Sequence, residues 1–175
     1  DLAGMYAAIG LLSALWQRNL IASIVLACAV GVFVAIDFGP QWAAYRHSVV
    51  PEVLVPNGQS GSAAGQTWKL SAVRHQNRSP LNFGPPLPPG TVLTIVGVDR
   101  SGTPGAELCT GVITDGDQRW QAEGLGVFSP IARDGVTATC TKPGRLQFAF
   151  LLPHDVVPTA VDVTINGQIT VRLEL

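Results

Sequence analysis

The chain has 175 residues, room for one domain of ordinary size and little more. Charged residues make up only 13% of it, about half the usual share, while 47% are apolar. A formal net charge of −1 leaves no basic footprint and no charged tail, so nucleic acid is not expected as a partner.

The shortage of charge is concentrated at the front. Between Asp1 and Arg46 the only formal charges are Arg18 and Asp37. A start at Asp1 rather than Met leads us to expect a segment of a longer translated product. From Leu20 to Ile36 there are seventeen consecutive uncharged residues, about 25 Å of helix at the standard rise, the short end of what crosses a hydrocarbon core. Trp16 and Trp42 flank the run, where amphipathic rings prefer the headgroup level. A cleaved signal peptide would need a small-residue site after the apolar core, and Ala27-Cys28-Ala29 falls in its middle, so an uncleaved anchor fits better. A buried helix of a soluble protein seldom runs so long without charge. The preceding apolar stretch, residues 2–17, extends the helix to about Ala3–Ile36, roughly 50 Å long. Phe38, Gly39 and Pro40 are expected to stop it, because Pro disfavours helical geometry in the residue before it.

Within this run Ser23, Ala27, Gly31 and Ala35 stand four apart. Small residues on one face let helix backbones approach closely in lipid, so the stripe is a candidate packing face for helices of partner membrane subunits. Ala and Gly are also common in any membrane helix, so chance spacing is the alternative, but three consecutive steps favour the packing face. Asp37 suits solvation among headgroups, with an ion pair to a partner as the sharper reading. Arg18 and Arg46 nearly balance across the span, so charge orients it weakly.

Residues 46–66 contain Pro51 and Pro56 and then a Gly/Ser-rich stretch, and read as a tether, stiff first and flexible after. From Thr67 onward the pattern is that of strands: TWKLSAVRH, TVLTIVGV, ELCTGVIT, QRWQAEG, VTATC, RLQFAFLL, AVDVTI and QITVRLEL. Asp115-Gly116 and Asn166-Gly167 are dipeptides that suit two-residue type I′ hairpin turns. In the last hairpin, Val161, Val163 and Ile165 alternate on one arm and Ile169, Val171, Leu173 and Leu175 on the other, so one face is core. The Pro-rich insertion SPLNFGPPLPPG cannot form regular ladder, and covers an edge or docks on a partner. Eight strands with turn signals between them predict an immunoglobulin-like sandwich. The predicted architecture is thus one transmembrane α-helix followed by an all-β immunoglobulin-like sandwich, divided as membrane helix 1–45, tether 46–66 and sandwich 67–175.

Cys109 and Cys140, 31 positions apart, suit a disulfide between two strands, with two buried free thiols as the alternative. A bond implies an oxidising compartment and places the C-terminal part outside the cytoplasm. Cys28, inside the apolar run, reads as a small packing residue. His47, His75 and His154 make no metal-ligand spacing with Cys, Asp or Glu, so no metal and no cofactor is expected. His154-Asp155 would serve a catalytic triad only with a Ser brought beside it by the fold, and a surface loop pair explains it more simply; no catalytic residue is assigned. Trp68, Trp120, Phe128, Phe148 and Phe150 read as sandwich core rather than a ligand cage.

A single membrane helix, a Pro/Gly/Ser stretch and a domain ending CTKPGRLQFAFLLPHDVVPTAVDVTINGQITVRLEL resemble the extracytoplasmic immunoglobulin-like domains of actinobacterial envelope proteins. The layout is also similar to that of the small accessory subunits of mycobacterial Mce lipid transporters. The resemblance covers the whole architecture but carries no diagnostic motif. It implies a non-catalytic accessory subunit in the inner (plasma) membrane, bound through its helix to permease-like subunits in the lipid bilayer. The alternative from another class is an anchored module whose sandwich or Pro-rich loop holds a lipid or glycan ligand.

Overall fold

The computed structural model describes residues 2–82, 84–124, 126–129 and 133–175. Asp1 of the predicted 1–45 segment and Phe83 of the Pro-rich insertion lie outside them. The chain divides into two compact units, residues 1–46 and 47–175.

The first unit is helical, α1 covering Leu2–Phe33 and α2 covering Gly39–Val49. They are joined without a break by one wide π-helical turn, Val34–Phe38. The expected stop at Phe38, Gly39 and Pro40 is therefore corrected: the helix continues for three more turns. The physical reason lies in the wide turn, where the Gly39 N–H donates to Val34 O, five residues back. Pro40 then falls at the second position of α2, where a missing N–H and a fixed φ are tolerated. Beyond the turn, Phe38, Trp42 and Tyr45 line one face, with ring centroids 6.1 and 5.6 Å apart.

The second unit is built of two five-stranded sheets. Its strands among the described residues are β1 Val53–Val55, β2 Ser60–Ala63, β3 Gln66–Gln76, β4 Thr91–Gly102, β5 Cys109–Thr114, β6 Arg119–Gln121, β7 Val136–Thr137, β8 Arg145–Pro153, β9 Ala160–Ile165 and β10 Gln168–Glu174. One sheet has the order β1-β10-β9-β5-β6 and the other β2-β3-β4-β8-β7. The segment β3-β4-β8-β7 follows the A-B-E-D order of an immunoglobulin domain, and β10-β9-β5-β6 follows G-F-C with one added strand. All eight predicted strands are present, although VTATC contributes only Val136–Thr137.

The tether does not exist as such. Residues 46–49 belong to α2, and β1 and β2 occupy much of the remainder. β1 lies parallel to β10, Val53 opposite Val171 and Val55 opposite Leu173. The Gly/Ser-rich stretch becomes β2, antiparallel to β3. Its turn, Ala64-Gly65, has φ of 50° and 70°, the left-handed pair a two-residue hairpin needs. Composition favoured flexibility here, but the ladder with β3 and burial of Ala63 decide the conformation.

Asn166 and Gly167, with φ of 52° and 77°, form the predicted hairpin turn. Asp115-Gly116 does not. Only Gly116 of that pair has positive φ, and Asp115–Gln118 forms a four-residue loop. Asp115 Oδ1 accepts from the N–H groups of Asp117 and Gln118, and Thr114 Oγ1 accepts from Gly116 N–H, so side chains close the loop.

Strand alternation fills the core. Leu146, Phe148, Phe150 and Leu152 of β8 face Val161 and Val163 of β9 and Val171 and Leu173 of β10. Trp68 is completely buried, its indole N–H donating to Ala63 O at 2.9 Å. A second, smaller cluster lies on the outer face of β4 and β8. There Leu93, Ile95 and Ala149 are covered by Leu87 of the Pro-rich insertion and by Phe128. The insertion thus covers a sheet face rather than an edge.

Candidate functional site

The predicted packing residues Ser23, Ala27 and Gly31 lie on α1, one helical turn apart on one face. All are exposed, and beyond the adjoining backbone of its own helix no described atom stands within 4 Å of where a Gly31 side chain would begin. Ala35 is set in the π turn, so the fourth member departs from the α-helical register. The described side chains from Trp16 to Phe38 are exposed all round, among them Leu20, Ile24, Val25, Leu26, Val30 and Phe33. The run Trp16–Val49 is long and apolar enough to cross a membrane.

Cys109 and Cys140 form the predicted disulfide, with Cα atoms 5.6 Å apart. Cys140 sits in the turn after β7 rather than in a strand, so the bond ties the opening of β5 in one sheet to the β7–β8 connection of the other. Arg100 of β4 secures the same connection, donating to the carbonyls of Cys140 at 2.7 Å, Lys142, and Gly144 at 3.4 Å. Its guanidinium lies 5.8 Å from the centre of the Trp68 ring, and partial burial lowers its pKa. Cys28 is a free, exposed thiol on α1.

The histidines are dispersed. His75 Nδ1 is 3.0 Å from Thr94 Oγ1, and His154 Nδ1 is 3.2 Å from Gly90 O in a turn. Among the described residues no three His, Cys, Asp or Glu side chains are grouped to hold a metal.

Sequence reasoning missed a groove of about 480 Å³ on the outer face of β3, β4 and β8. Its floor is Ala72, Ile95, Gly97 and Val136, and its walls carry Arg74, Arg133, Arg145, Gln76 and Gln147. Because Leu146 and Phe148 point into the core, Arg145 and Gln147 point outward, a signal already present in the alternation of β8. Arg74 was not readable in the same way. A bulge between Leu70 and Ala72 shifts the phase of β3 and brings Arg74 opposite Ile95 on the outer face. Arg145 Nε donates to Asp99 Oδ1 at 2.6 Å. Among the described residues Arg74 and Arg133 have no carboxylate within ion-pair distance.

The fold and these sites define the class of protein: an immunoglobulin-type sandwich preceded by one helix of membrane-spanning length and apolarity. No protein-family model matches the chain, and no curated protein matches it. Among solved structures the chain is similar to an uncharacterized beta-sandwich protein from Clostridium difficile 630. The identity is 11% and the TM-score 0.38, over 70% of this chain and 93% of that one.

Proposed function

We propose that this chain is a non-catalytic accessory subunit of a cell-envelope membrane complex. Its helix is held in the inner membrane and docks on helices of permease-like subunits, and its sandwich lies on the extracytoplasmic side. The observation that carries the reading is the helix itself, apolar and exposed on every side from Trp16 to Phe38, with Ser23, Ala27 and Gly31 offering close backbone approach. The disulfide supports the orientation, since such bonds persist in oxidising compartments. The similarity in layout to accessory subunits of Mce lipid transporters makes a lipid importer of that type the complex we name.

Purification of the intact protein in mild detergent tests this directly. Ala27→Leu combined with Gly31→Leu is expected to release co-purifying membrane subunits, whereas Val25→Leu on another face is expected to leave them bound. Unchanged co-purification with the double variant would sink the docking reading.

A further inference from the structure

We propose that the groove on the outer face of β3, β4 and β8 binds a phosphate monoester or inorganic phosphate. This goes beyond the docking reading and does not depend on it. Three guanidinium groups, Arg74, Arg133 and Arg145, line one groove, and they arrive from two strands and a loop. Arginines crowded on one sheet face repel one another, and among the described residues one carboxylate, Asp99, offsets only one of them. The contact uses Arg145 Nε, which leaves its terminal nitrogens for a second acceptor.

Charge decides which anion fits. Three cations less the one paired with Asp99 leave an excess of two positive charges. A carboxylate carries one negative charge, whereas a phosphate monoester carries about 1.5 to 2 near neutral pH and offers three strong acceptor oxygens. The guanidinium forks suit those oxygens, and the Gln76 and Gln147 amides add neutral donors. The floor is also suited to a ligand. Gly97 carries no side chain at its middle, and Ile95 beside it is almost fully buried, so the base is flat and apolar. The volume falls within the range of small-molecule sites.

Two sources share this chemistry, a lipid with a phosphomonoester headgroup and free phosphate. The test uses the full chain in a non-ionic detergent and calorimetric titration with inorganic phosphate and with dihexanoyl phosphatidic acid, dihexanoyl phosphatidylcholine serving as the neutral control. Saturable binding of phosphate or phosphatidic acid is expected, weakened about tenfold or more by Arg74→Gln. Gly97→Val is the second variant. Its Cβ would meet Ser71 Cβ at an ordinary 3.7 Å, so it raises the groove floor while leaving every charge in place. It is expected to weaken binding with an unchanged melting temperature. Tighter binding of phosphatidic acid than of phosphate supports a lipid headgroup, and equal binding supports the free anion. Absence of binding by both probes, or wild-type affinity in both variants, would overturn the proposal.

Discussion

Arg172 and Asp162 stand directly opposite each other on β10 and β9 and meet through two hydrogen bonds, Nε to Oδ1 at 2.6 Å and Nη2 to Oδ2 at 2.8 Å. Arg119 of β6 adds a third, Nη2 to Oδ2 at 3.0 Å, and Asp162 is left with no exposed surface. Its flanking residues Val161 and Val163 face the core, so the carboxylate lies on the other side of the sheet, sealed beneath two arginines. Removing it by Asp162→Ala leaves two cations facing each other, and should cost about 2 to 3 kcal/mol, below the full cost of breaking a buried pair because both arginines reach solvent. The Asp162 hydrogen bond raises the Arg172 pKa. A raised cation contributes stability fully at every pH below its unfolded value, so the Arg172 side of the pair adds no pH dependence between about pH 6 and 9. Urea denaturation at both ends of that range measures this.

Asp115 behaves in the opposite sense. The Gln118 N–H, and then that of Asp117, hold its carboxylate below the usual range. A depressed carboxylate pKa contributes stability that is present above the unfolded value and is lost as pH falls through the folded value. The denaturation midpoints of wild type and Asp115→Ala are therefore expected to differ at neutral pH and to converge in acid below the carboxylate range. A constant gap throughout would show that the loop gains nothing from the charge.

Gly111 on β5 meets Phe148 of the opposite sheet. A methyl group at Gly111 would lie 2.7 to 2.9 Å from three ring atoms of Phe148, which is nearly buried and cannot withdraw. Gly111→Ala is expected to destabilise the sandwich by about 1 to 3 kcal/mol through overpacking, and Phe148→Leu in the same chain should recover part of it. Thermal melting of the single and double variants checks the coupling.

Ala64 supplies a left-handed residue where Asn or Gly is usual. Ala64→Asn keeps the turn and, although its Cβ remains, brings a short polar side chain that hydrogen-bonds locally in the left-handed region, and should stabilise by up to about 1 kcal/mol. A rise in the urea midpoint at unchanged slope is the expected result.

The disulfide closes a loop of 31 residues between the two sheets. Cys109→Ala with Cys140→Ala is expected to cost about 3 to 4 kcal/mol on the loop-entropy account. Denaturation of the oxidised protein against the double variant measures it.

What the sequence disclosed depended on whether one residue's neighbours were enough to decide its place. β8, β9 and β10 were readable because strict alternation puts Phe148, Val163 and Val171 on one face whatever surrounds them. Asn166-Gly167 was readable because two consecutive left-handed residues suit few other settings. Residues 50–66 misled because Gly and Ser weaken local preference without preventing a ladder once β3 and β10 are available. Pro40 misled because a wide turn one step earlier removed the conflict it would have caused. The packing stripe was visible as spacing, but the shift of Ala35 was not. The arginine groove required the β3 bulge and the placement of Arg133 by a long connection, and neither has a local signal.

The parallel pairing of β1 with β10 gives the sandwich a mechanical character. Only Val50, Pro51 and Glu52 separate the helix from β1, and Glu52 N–H already donates to Ile169 O at 3.0 Å. Because the strands run the same way, tension applied between the helix and the C-terminal end of β10 loads their hydrogen bonds in shear, side by side, rather than opening them singly from one end. A pull on the helical segment would thereby be borne by the hairpin that also buries Asp162, and the short β1 acts as a clasp rather than a slack leash.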